Sequence, residues 1–222
     1  MKKAVFFDFD GTIADSSEGI MECALETVEP LGYDKSQYSK DYLRRFIGPP
    51  LSDCFRITFS VEEDKIQDCV ERYRVLYNAK GMYMMHVYPD IPVLLRSLRD
   101  MGIKTAVATN KMKELAERCC RNLGIYDLFD YISGPPRDGG VTKAQVITLA
   151  IDALGLKKEE VLMVGDTVND EKGSEGAGVD FIPVTWGFGF NKENTTEGKR
   201  ADEPMDIIKY IGGENDLKSR YS

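Results

Sequence analysis

The chain has 222 residues, a length that allows one domain or one domain with a smaller partner. Its composition, 42% hydrophobic and 30% charged, is typical of a folded globular protein with a substantial core. The formal net charge of −8 argues against nucleic acid or an anionic membrane surface as a partner, and a negatively charged substrate would need local help from a metal ion or a few placed cations.

The amino-terminal part of the chain begins with a strand and continues as helices. Residues 4–9 form a short apolar run that predicts the first strand. Apolar residues then recur at helical spacing over residues 20–31. Between residues 33 and 85 the patterns predict helices and loops but no strand. The clearest helix there spans residues 60–79, with Ser60 opening it in a capping box.

Beyond residue 86, short apolar runs alternate with helical patterns. The predicted strands, separated by helices, are residues 104–108, 131–133, 161–164 and 180–184. Such alternation implies right-handed parallel crossovers and therefore an α/β fold with a doubly wound parallel sheet. Residues 15–85 do not fit this pattern. We predict an inserted all-helical domain over 15–85 and a core domain built from 1–14 and 86–222.

Two acidic residues, Asp8 and Asp10, lie at the end of the first predicted strand, in the stretch FFDFDGT. Because a strand projects alternate side chains to opposite faces, both carboxylates should emerge on the same side. Like charges this close repel each other and are costly to bury unpaired. The spacing therefore indicates that a bound cation neutralises the pair.

Polar residues also follow two later strands, where the carboxyl ends of parallel strands form the usual binding edge. Thr109 and Asn110 follow the second predicted strand, and the stretch GDTVND, with Asp166 and Asp170, follows the fourth. Lys143 opens a helix after the glycine-rich stretch RDGGVTK. A helix amino terminus is electrostatically the wrong end for a lysine, which favours a functional role for Lys143.

These residues, in this order, resemble the motifs of the haloacid dehalogenase superfamily of phosphotransferases. DFDGT resembles the first motif, Thr109 the second, Lys143 the third and GDTVND the fourth, and the insertion resembles the family's C1-type helical cap. Lys143 is followed by alanine rather than the proline of many relatives, a variant similar to phosphoglycolate phosphatase-like members. The resemblance implies a Rossmann-like core and a phosphatase of small phosphomonoesters, such as phosphoglycolate-like compounds or nucleotide monophosphates.

The chemistry of three residues suits catalysis of phosphoryl transfer. The carboxylate of Asp8 can attack phosphorus and form an aspartyl phosphate. Asp10, on the same side, can protonate the leaving oxygen and later deprotonate the attacking water. Lys143 can supply positive charge to the phosphoryl group and to Asp8.

Other residues suit binding of the phosphoryl group and of a metal ion. Gly11 permits a sharp turn that exposes amides, and the Thr109 hydroxyl and the Asn110 amide can hold phosphoryl oxygens. Carboxylates that leave room for several waters suit Mg²⁺. By resemblance, the ligands of Mg²⁺ would be Asp8, the backbone carbonyl of Asp10, and Asp166, with Asp170 in support.

Several assignments keep an alternative. Thr109 can also cap the following helix, a role compatible with phosphate binding. Asp170 can serve as a helix cap instead of supporting the metal ion, and Glu171 is its rival for that support. Arg45, beside a Gly-Pro-Pro turn in the insertion, is a candidate for choosing the substrate, and a solvated face is an equal alternative. Trp186, in TWGFGF after the last strand, is attributed to packing, with a loop over the mouth of the active site as the alternative.

The cysteines and the lack of a long apolar segment bear on the compartment. Five cysteines are present, an odd count with no Cys-x-x-Cys spacing, which indicates free thiols in a reducing compartment. No apolar run has the length of a membrane helix. The protein is therefore expected to be cytoplasmic, and its oligomeric state is not determined by the sequence.

The predicted function is a Mg²⁺-dependent phosphatase acting on a small phosphorylated metabolite through an aspartyl phosphate. The alternatives are a sugar phosphomutase of the same superfamily, whose product would retain its phosphate, and a non-catalytic module that binds phosphate or a partner.

Overall fold

The structure is a computed structural model that describes residues 1–136 and 140–212, so part of the glycine-rich stretch before Lys143 lies outside the described residues. The strands are β1 (Ala4–Phe7), β2 (Ala14–Asp15), β3 (His86–Val87), β4 (Lys104–Ala108), β5 (Tyr131–Ser133), β6 (Val161–Gly165) and β7 (Asp180–Pro183). The helices are α1 (Ser17–Val28), α2 (Lys40–Leu43), α3 (Leu51–Phe59), α4 (Ile66–Ala79), α5 (Ile91–Asp100), α6 (Lys113–Asn122), α7 (Lys143–Leu154) and α8 (Val168–Ala177).

The main sheet is parallel and its strand order is β5-β4-β1-β6-β7. The chain builds outward from β1 through β4 to β5 and then returns to the other side of β1 as β6 and β7. Strand order therefore reverses next to β1, and the carboxyl ends of β1, β4 and β6 lie side by side. The predicted α/β class and doubly wound parallel sheet are confirmed.

The sheet is stabilised by burial on both faces, which is why its central strands read as continuous apolar runs. Every residue of β1 and β6 is buried. On one face, the side chains of Phe6 and Met163 pack with Val146 and Ile147 of α7 in a single apolar cluster. This packing holds the start of α7, where Lys143 lies, against the sheet.

The chain divides into two compact units, Met1–Ile13 with Val87–Ser222, and Ala14–His86. The second unit contains α1–α4, and its interior is aromatic: the rings of Phe46 and Phe55 lie 4.9 Å apart, and those of Tyr73 and Tyr77 are stacked at 5.5 Å. Such ring pairs add to the stabilisation from area burial alone. That the two units act as a core domain and a cap domain stays a prediction.

The predicted helix over residues 60–79 is wrong at its start. Ser60 ends α3 instead of opening the next helix: its φ is 53°, in the left-handed region, and its amide donates to the carbonyl of Arg56. A 3₁₀ turn, Glu63–Lys65, then leads into α4 at Ile66. A Ser-x-x-Glu stretch between two nearby helices does not reveal which helix it terminates, and tertiary packing decided between them.

The remaining predicted elements lie close to the observed ones. The bounds of β4 and β5 are those predicted, and the first strand ends at Phe7, two residues earlier than expected. All five cysteines are buried and free. Within the described part of the chain, no helix combines the length and the apolar character that crossing a membrane requires.

Truncation of Leu98 tests the importance of the packing beneath the sheet. Leu98 of α5 is fully buried, so Leu98→Ala should lower the free energy of unfolding by about 2–5 kcal/mol. Leu149→Ala removes the same atoms from a side chain that is half exposed, and should cost less than about 1 kcal/mol. Urea denaturation followed by circular dichroism measures both, and equal losses would contradict this account of the core.

Candidate active site

Three carboxylates meet at the carboxyl edge of the sheet. Asp8 follows β1, Asp166 follows β6, and Asp170 lies in the first turn of α8. All three are buried, and one oxygen from each lies within 4.8 Å of the others. Acidic side chains are rarely buried together, so this cluster is the most unusual chemical feature of the sheet edge.

Backbone pairing brings the first two of these residues together. Phe7 of β1 is in register with Val164 of β6, and the amide of Asp8 donates to the carbonyl of Val164 at 2.9 Å. The residues that follow these two strands therefore emerge side by side. The parallel ladder alone therefore brings together Asp8 and Asp166, which are more than 150 positions apart in the sequence.

Asp170 reaches the cluster through the capping of α8. Its Oδ2 accepts hydrogen bonds from the amide and the hydroxyl of Thr167, at 3.0 and 2.7 Å. This reciprocal capping box fixes the carboxylate and leaves Oδ1 to contact Lys143. Helix capping and membership of the cluster, considered above as alternatives, thus coexist in Asp170, whereas Glu171 is exposed.

Lys143 is the buried cation of the cluster. Its Nζ lies 2.6 Å from Oδ1 of Asp8 and 2.7 Å from Oδ1 of Asp170. A capping box between Thr142 and Gln145 sets the start of α7, so that the lysine is the first residue of the helix. Gly173 of α8 gives the lysine room, because a Cβ atom there would clash with the Lys143 stem.

The charges of the cluster do not balance. Burial, followed by the charges of Asp170 and Asp10, raises the pKa of Asp8 to about 6, even though Lys143 opposes the shift. Burial, with the charges of Asp170 and Asp8, also raises the pKa of Asp166 well above its ordinary value. Burial lowers the pKa of Lys143, but Asp170 and Asp8 outweigh it, so the net shift is upward and the lysine stays charged.

The cluster has the donors that a divalent cation requires. Three carboxylates share one ammonium group, and among residues 1–136 and 140–212 Asp166 forms no ion pair. Hard oxygen ligands with excess negative charge are what Mg²⁺ and Ca²⁺ bind in proteins. The residues present therefore fit a divalent metal ion, which would supply the positive charge that Lys143 alone does not.

Asp10 is paired with a lysine that is not among the predicted site residues. Both of its carboxylate oxygens lie 2.9 Å from Nζ of Lys111, whose side chain is almost fully buried. Lys111 directly follows Thr109 and Asn110 after β4. Its position at this edge of the sheet was the only feature of the sequence that could have predicted a contact with Asp10. The pair is the second ionic contact at this edge of the sheet.

The predicted phosphate-binding residues lie around the same edge. Thr109 is buried, and its hydroxyl accepts a hydrogen bond from the amide of Lys111 at 3.1 Å. Met112, not Thr109, occupies the N-cap position of α6, so the capping alternative for Thr109 is wrong. Gly11 has φ of +85°, and a Cβ atom there would clash with the Asp166 carboxylate, so the turn requires glycine.

Arg45 belongs to the helical unit. It is exposed, and its guanidinium lies 3.9 Å from the centre of the Tyr42 ring. This cation–π contact orients the side chain at a modest gain in stability. Its predicted part in choosing the substrate stays a prediction.

Trp186 does more than pack. Its indole Nε1 donates to the backbone carbonyl of Thr12 at 3.1 Å, and two residues later the amide of Phe188 donates to Oδ2 of Asp166 at 2.7 Å. Neither contact could be predicted from the sequence, because each involves a backbone group, the Thr12 carbonyl or the Phe188 amide, that nearly every residue carries.

The fold is an α/β fold with a parallel sheet, and its carboxyl edge carries three carboxylates and a buried lysine. We compared the chain with known proteins on this basis. A profile of haloacid dehalogenase-like hydrolases matches residues 5–184. The chain therefore belongs to the haloacid dehalogenase-like hydrolase family. The predicted family and the predicted status as a hydrolase are confirmed.

Individual relatives agree with the family. The chain is 35% identical over 190 residues to a 5'-nucleotidase of Pseudomonas aeruginosa, covering 85% of each chain. It is 30% identical to a phosphoglycolate phosphatase of Aquifex aeolicus, covering 94% of this chain and 96% of the other. A solved haloacid dehalogenase-like hydrolase from Streptococcus pneumoniae superposes with a TM-score of 0.85 at 32% identity, covering 95% and 99%.

Replacing Asp166 tests the charge imbalance. Asp166→Asn removes one of three buried like charges, so the variant should be more stable than the wild type without metal, by about 1–3 kcal/mol. Mg²⁺ should then raise the thermal midpoint of the wild type but not of the variant. Thermal unfolding in EDTA and in Mg²⁺ measures both effects.

Asp152→Asn is the matched control, because Asp152 is exposed on α7. It should leave the stability and the response to Mg²⁺ unchanged. A response of Asp166→Asn to Mg²⁺ equal to that of the wild type would contradict the assignment of the cluster.

Proposed function

We propose that the protein is a Mg²⁺-dependent phosphatase that hydrolyses a small phosphomonoester through an aspartyl phosphate on Asp8. The observation that carries the proposal is the buried contact of Lys143 with Asp8, inside a cluster that also contains Asp166 and Asp170. A single strand-end aspartate paired with one lysine would be an ordinary ion pair. The surplus of carboxylates around it is what favours a metal-assisted reaction.

Asp8 is the nucleophile in this proposal. One of its oxygens attacks phosphorus, a phosphorus–oxygen bond forms, and the bond to the leaving oxygen breaks. Lys143, 2.6 Å from Oδ1 of Asp8, holds the carboxylate in place and attracts the phosphoryl oxygens. Because the Lys143 pKa is raised, its positive charge is present throughout the range in which enzymes operate.

Asp10 moves the protons. It gives a proton to the leaving oxygen in the first half of the reaction and takes one from the attacking water in the second half. The two contacts to Lys111 keep the Asp10 carboxylate in one orientation between these steps. Lys111 therefore acts as a positioning residue.

Phosphoryl oxygens are bound by backbone and hydroxyl groups at the same edge. The amides exposed at the Gly11 turn, the Thr109 hydroxyl and the Asn110 amide are the donors in this proposal. Asp8, the backbone carbonyl of Asp10 and Asp166 would hold Mg²⁺, with Asp170 in support. When bound, the ion supplies positive charge that offsets the repulsion between the nucleophile and the phosphoryl group.

The substrate is a small phosphorylated metabolite, either phosphoglycolate-like or a nucleotide monophosphate. Relatives are named 5'-nucleotidase, phosphoglycolate phosphatase and, in Halalkalibacterium halodurans, pyrophosphatase PpaX, and these names share a phosphoryl group on a small molecule. Another relative, from Mycobacterium tuberculosis, is named tyrosine-protein kinase PtkA and is 32% identical over 213 residues. Transfer to an acceptor other than water is therefore the alternative to test, together with the predicted phosphomutase.

The first experiment measures phosphate released from a generic aryl phosphate, with and without Mg²⁺. The wild type should release phosphate only with Mg²⁺, and Asp8→Asn should lose at least about 10³-fold in kcat because a neutral amide cannot replace the carboxylate as nucleophile. Asp152→Asn, the exposed control, should keep the wild-type rate.

Two results would count against this function. Activity retained by Asp8→Asn would remove the aspartyl-phosphate mechanism. Consumption of phosphoesters without release of inorganic phosphate would favour a phosphomutase or transfer to another acceptor. A panel that includes phosphoglycolate and nucleotide monophosphates then identifies the substrate by its kcat/KM.

Lys111→Met tests the positioning of Asp10. Methionine keeps the length of the side chain but removes its charge and donors, so kcat should fall by about 10–100-fold with little change in KM. Lys113→Met is the control, because Nζ of Lys113 lies over the Tyr131 ring rather than beside Asp10. Equal kcat values for the two variants would exclude a positioning role for Lys111.

A further inference from the structure

The segment that follows β7 returns to the metal cluster and encloses one of its members. We call residues 186–190, with the sequence WGFGF, the aromatic loop. The amide of Phe188 donates to Oδ2 of Asp166 at 2.7 Å, and the amide of Phe190 donates to the backbone carbonyl of the same residue at 2.8 Å. Both the side chain and the main chain of Asp166 are therefore bonded to the aromatic loop.

Steric contacts make this arrangement tight. A Cβ atom at Gly187 would clash with Cβ of Asp166 and with the carbonyl oxygen of Gly11. A Cβ atom at Gly11 would clash with the Asp166 carboxylate and lie 2.7 Å from the Phe188 ring. The aromatic loop, the turn after β1 and Asp166 thus interlock, and the two glycines permit their approach.

The aromatic loop is anchored on both sides of this contact. Before it, the Trp186 indole donates to the carbonyl of Thr12, and its ring lies edge-on to Tyr88, with 6.5 Å between centroids. After it, the ring of Phe190 packs on Phe181 of β7 at 6.1 Å. Such anchoring keeps the Phe188 amide in one place, so that the hydrogen bond selects one orientation of the carboxylate.

The two carboxylate oxygens of Asp166 therefore differ in how tightly they are hydrogen-bonded. Oδ2 is bound by the Phe188 amide, while the hydrogen bond of Oδ1, from the Thr12 hydroxyl, is long at 3.4 Å. A carboxylate that is free to rotate would lose rotational entropy on binding an ion, and one that is already oriented does not. Removing a group that hydrogen-bonds to a metal-binding side chain in this way commonly weakens metal binding by about tenfold or more.

We propose that the aromatic loop is a positioning element for the divalent cation: the Phe188 amide orients Asp166, and Gly187 allows the approach. The inference rests on the metal site of the proposed function and extends it to residues outside the predicted motifs. If it is correct, a change in the aromatic loop lowers the affinity for the metal ion even in protein that remains folded.

The test measures Mn²⁺ affinity, because this ion can stand in for Mg²⁺ and be counted directly by electron paramagnetic resonance. Gly187→Ala should lower the metal-free thermal midpoint, because its Cβ would clash with the Gly11 carbonyl oxygen, and in the protein that remains folded Mn²⁺ binding should be weaker by about tenfold or more. Raising the Mg²⁺ concentration should restore kcat, so the defect should appear in the concentration of Mg²⁺ required rather than in the rate at saturation.

Thr185→Val is the control variant. Thr185 lies next to the aromatic loop, but its hydroxyl donates to Asp202, away from the cluster. It should bind Mn²⁺ as the wild type does. Trp186→Phe is the second variant, should Gly187→Ala not fold: it keeps an aromatic ring, loses the bond to Thr12, and should weaken Mn²⁺ binding severalfold.

The outcomes separate this inference from the proposed function. If the wild type does not bind Mn²⁺, the metal site itself is wrong. If the wild type binds Mn²⁺ and folded Gly187→Ala binds it equally well, the aromatic loop only packs and the inference is overturned. With Gly187→Ala unfolded, wild-type affinity in Trp186→Phe would overturn it in the same way.

Discussion

Repulsion between buried carboxylates is the constraint around which this sheet edge is built. Asp8, Asp166 and Asp170 are removed from water within a few ångströms of each other, and one lysine cannot neutralise three charges. A folded state that tolerates this arrangement must fix each carboxylate with hydrogen bonds and leave a place for a cation. The free-energy cost of burying these charges arises at the site, and the apolar packing of the sheet offsets it. Local costs of this kind, compensated elsewhere in the fold, are common at functional sites.

Each carboxylate is fixed by a different part of the fold. The parallel ladder between β1 and β6 places Asp8, the capping box of α8 holds Asp170, and the aromatic loop bonds to Asp166. Lys143 sits at the positive end of α7, where the helix dipole opposes a lysine, and its two carboxylate partners compensate for that position. The same backbone features that stabilise the fold therefore orient the charged groups of the cluster.

Local sequence patterns predicted the fold because the parallel sheet and its helices have strong periodicities. The bounds of β4 and β5 followed from short apolar runs, and the alternation of strands and helices implied the doubly wound topology. The prediction failed at Ser60, where one short polar signal fits the end of one helix as well as the start of the next. Helix boundaries are decided by packing, which a local pattern does not contain.

By itself, the sequence determined the family, the order of the sheet-edge residues and the presence of an acidic site, since these depend on residue type and spacing. Tertiary structure alone decided that Asp170 rather than Glu171 is buried in the cluster, that Lys111 pairs with Asp10, and that the Phe188 amide orients Asp166. These contacts join residues far apart in the chain or involve backbone groups that every residue carries. Only the folded backbone, which sets distances and directions, can distinguish them.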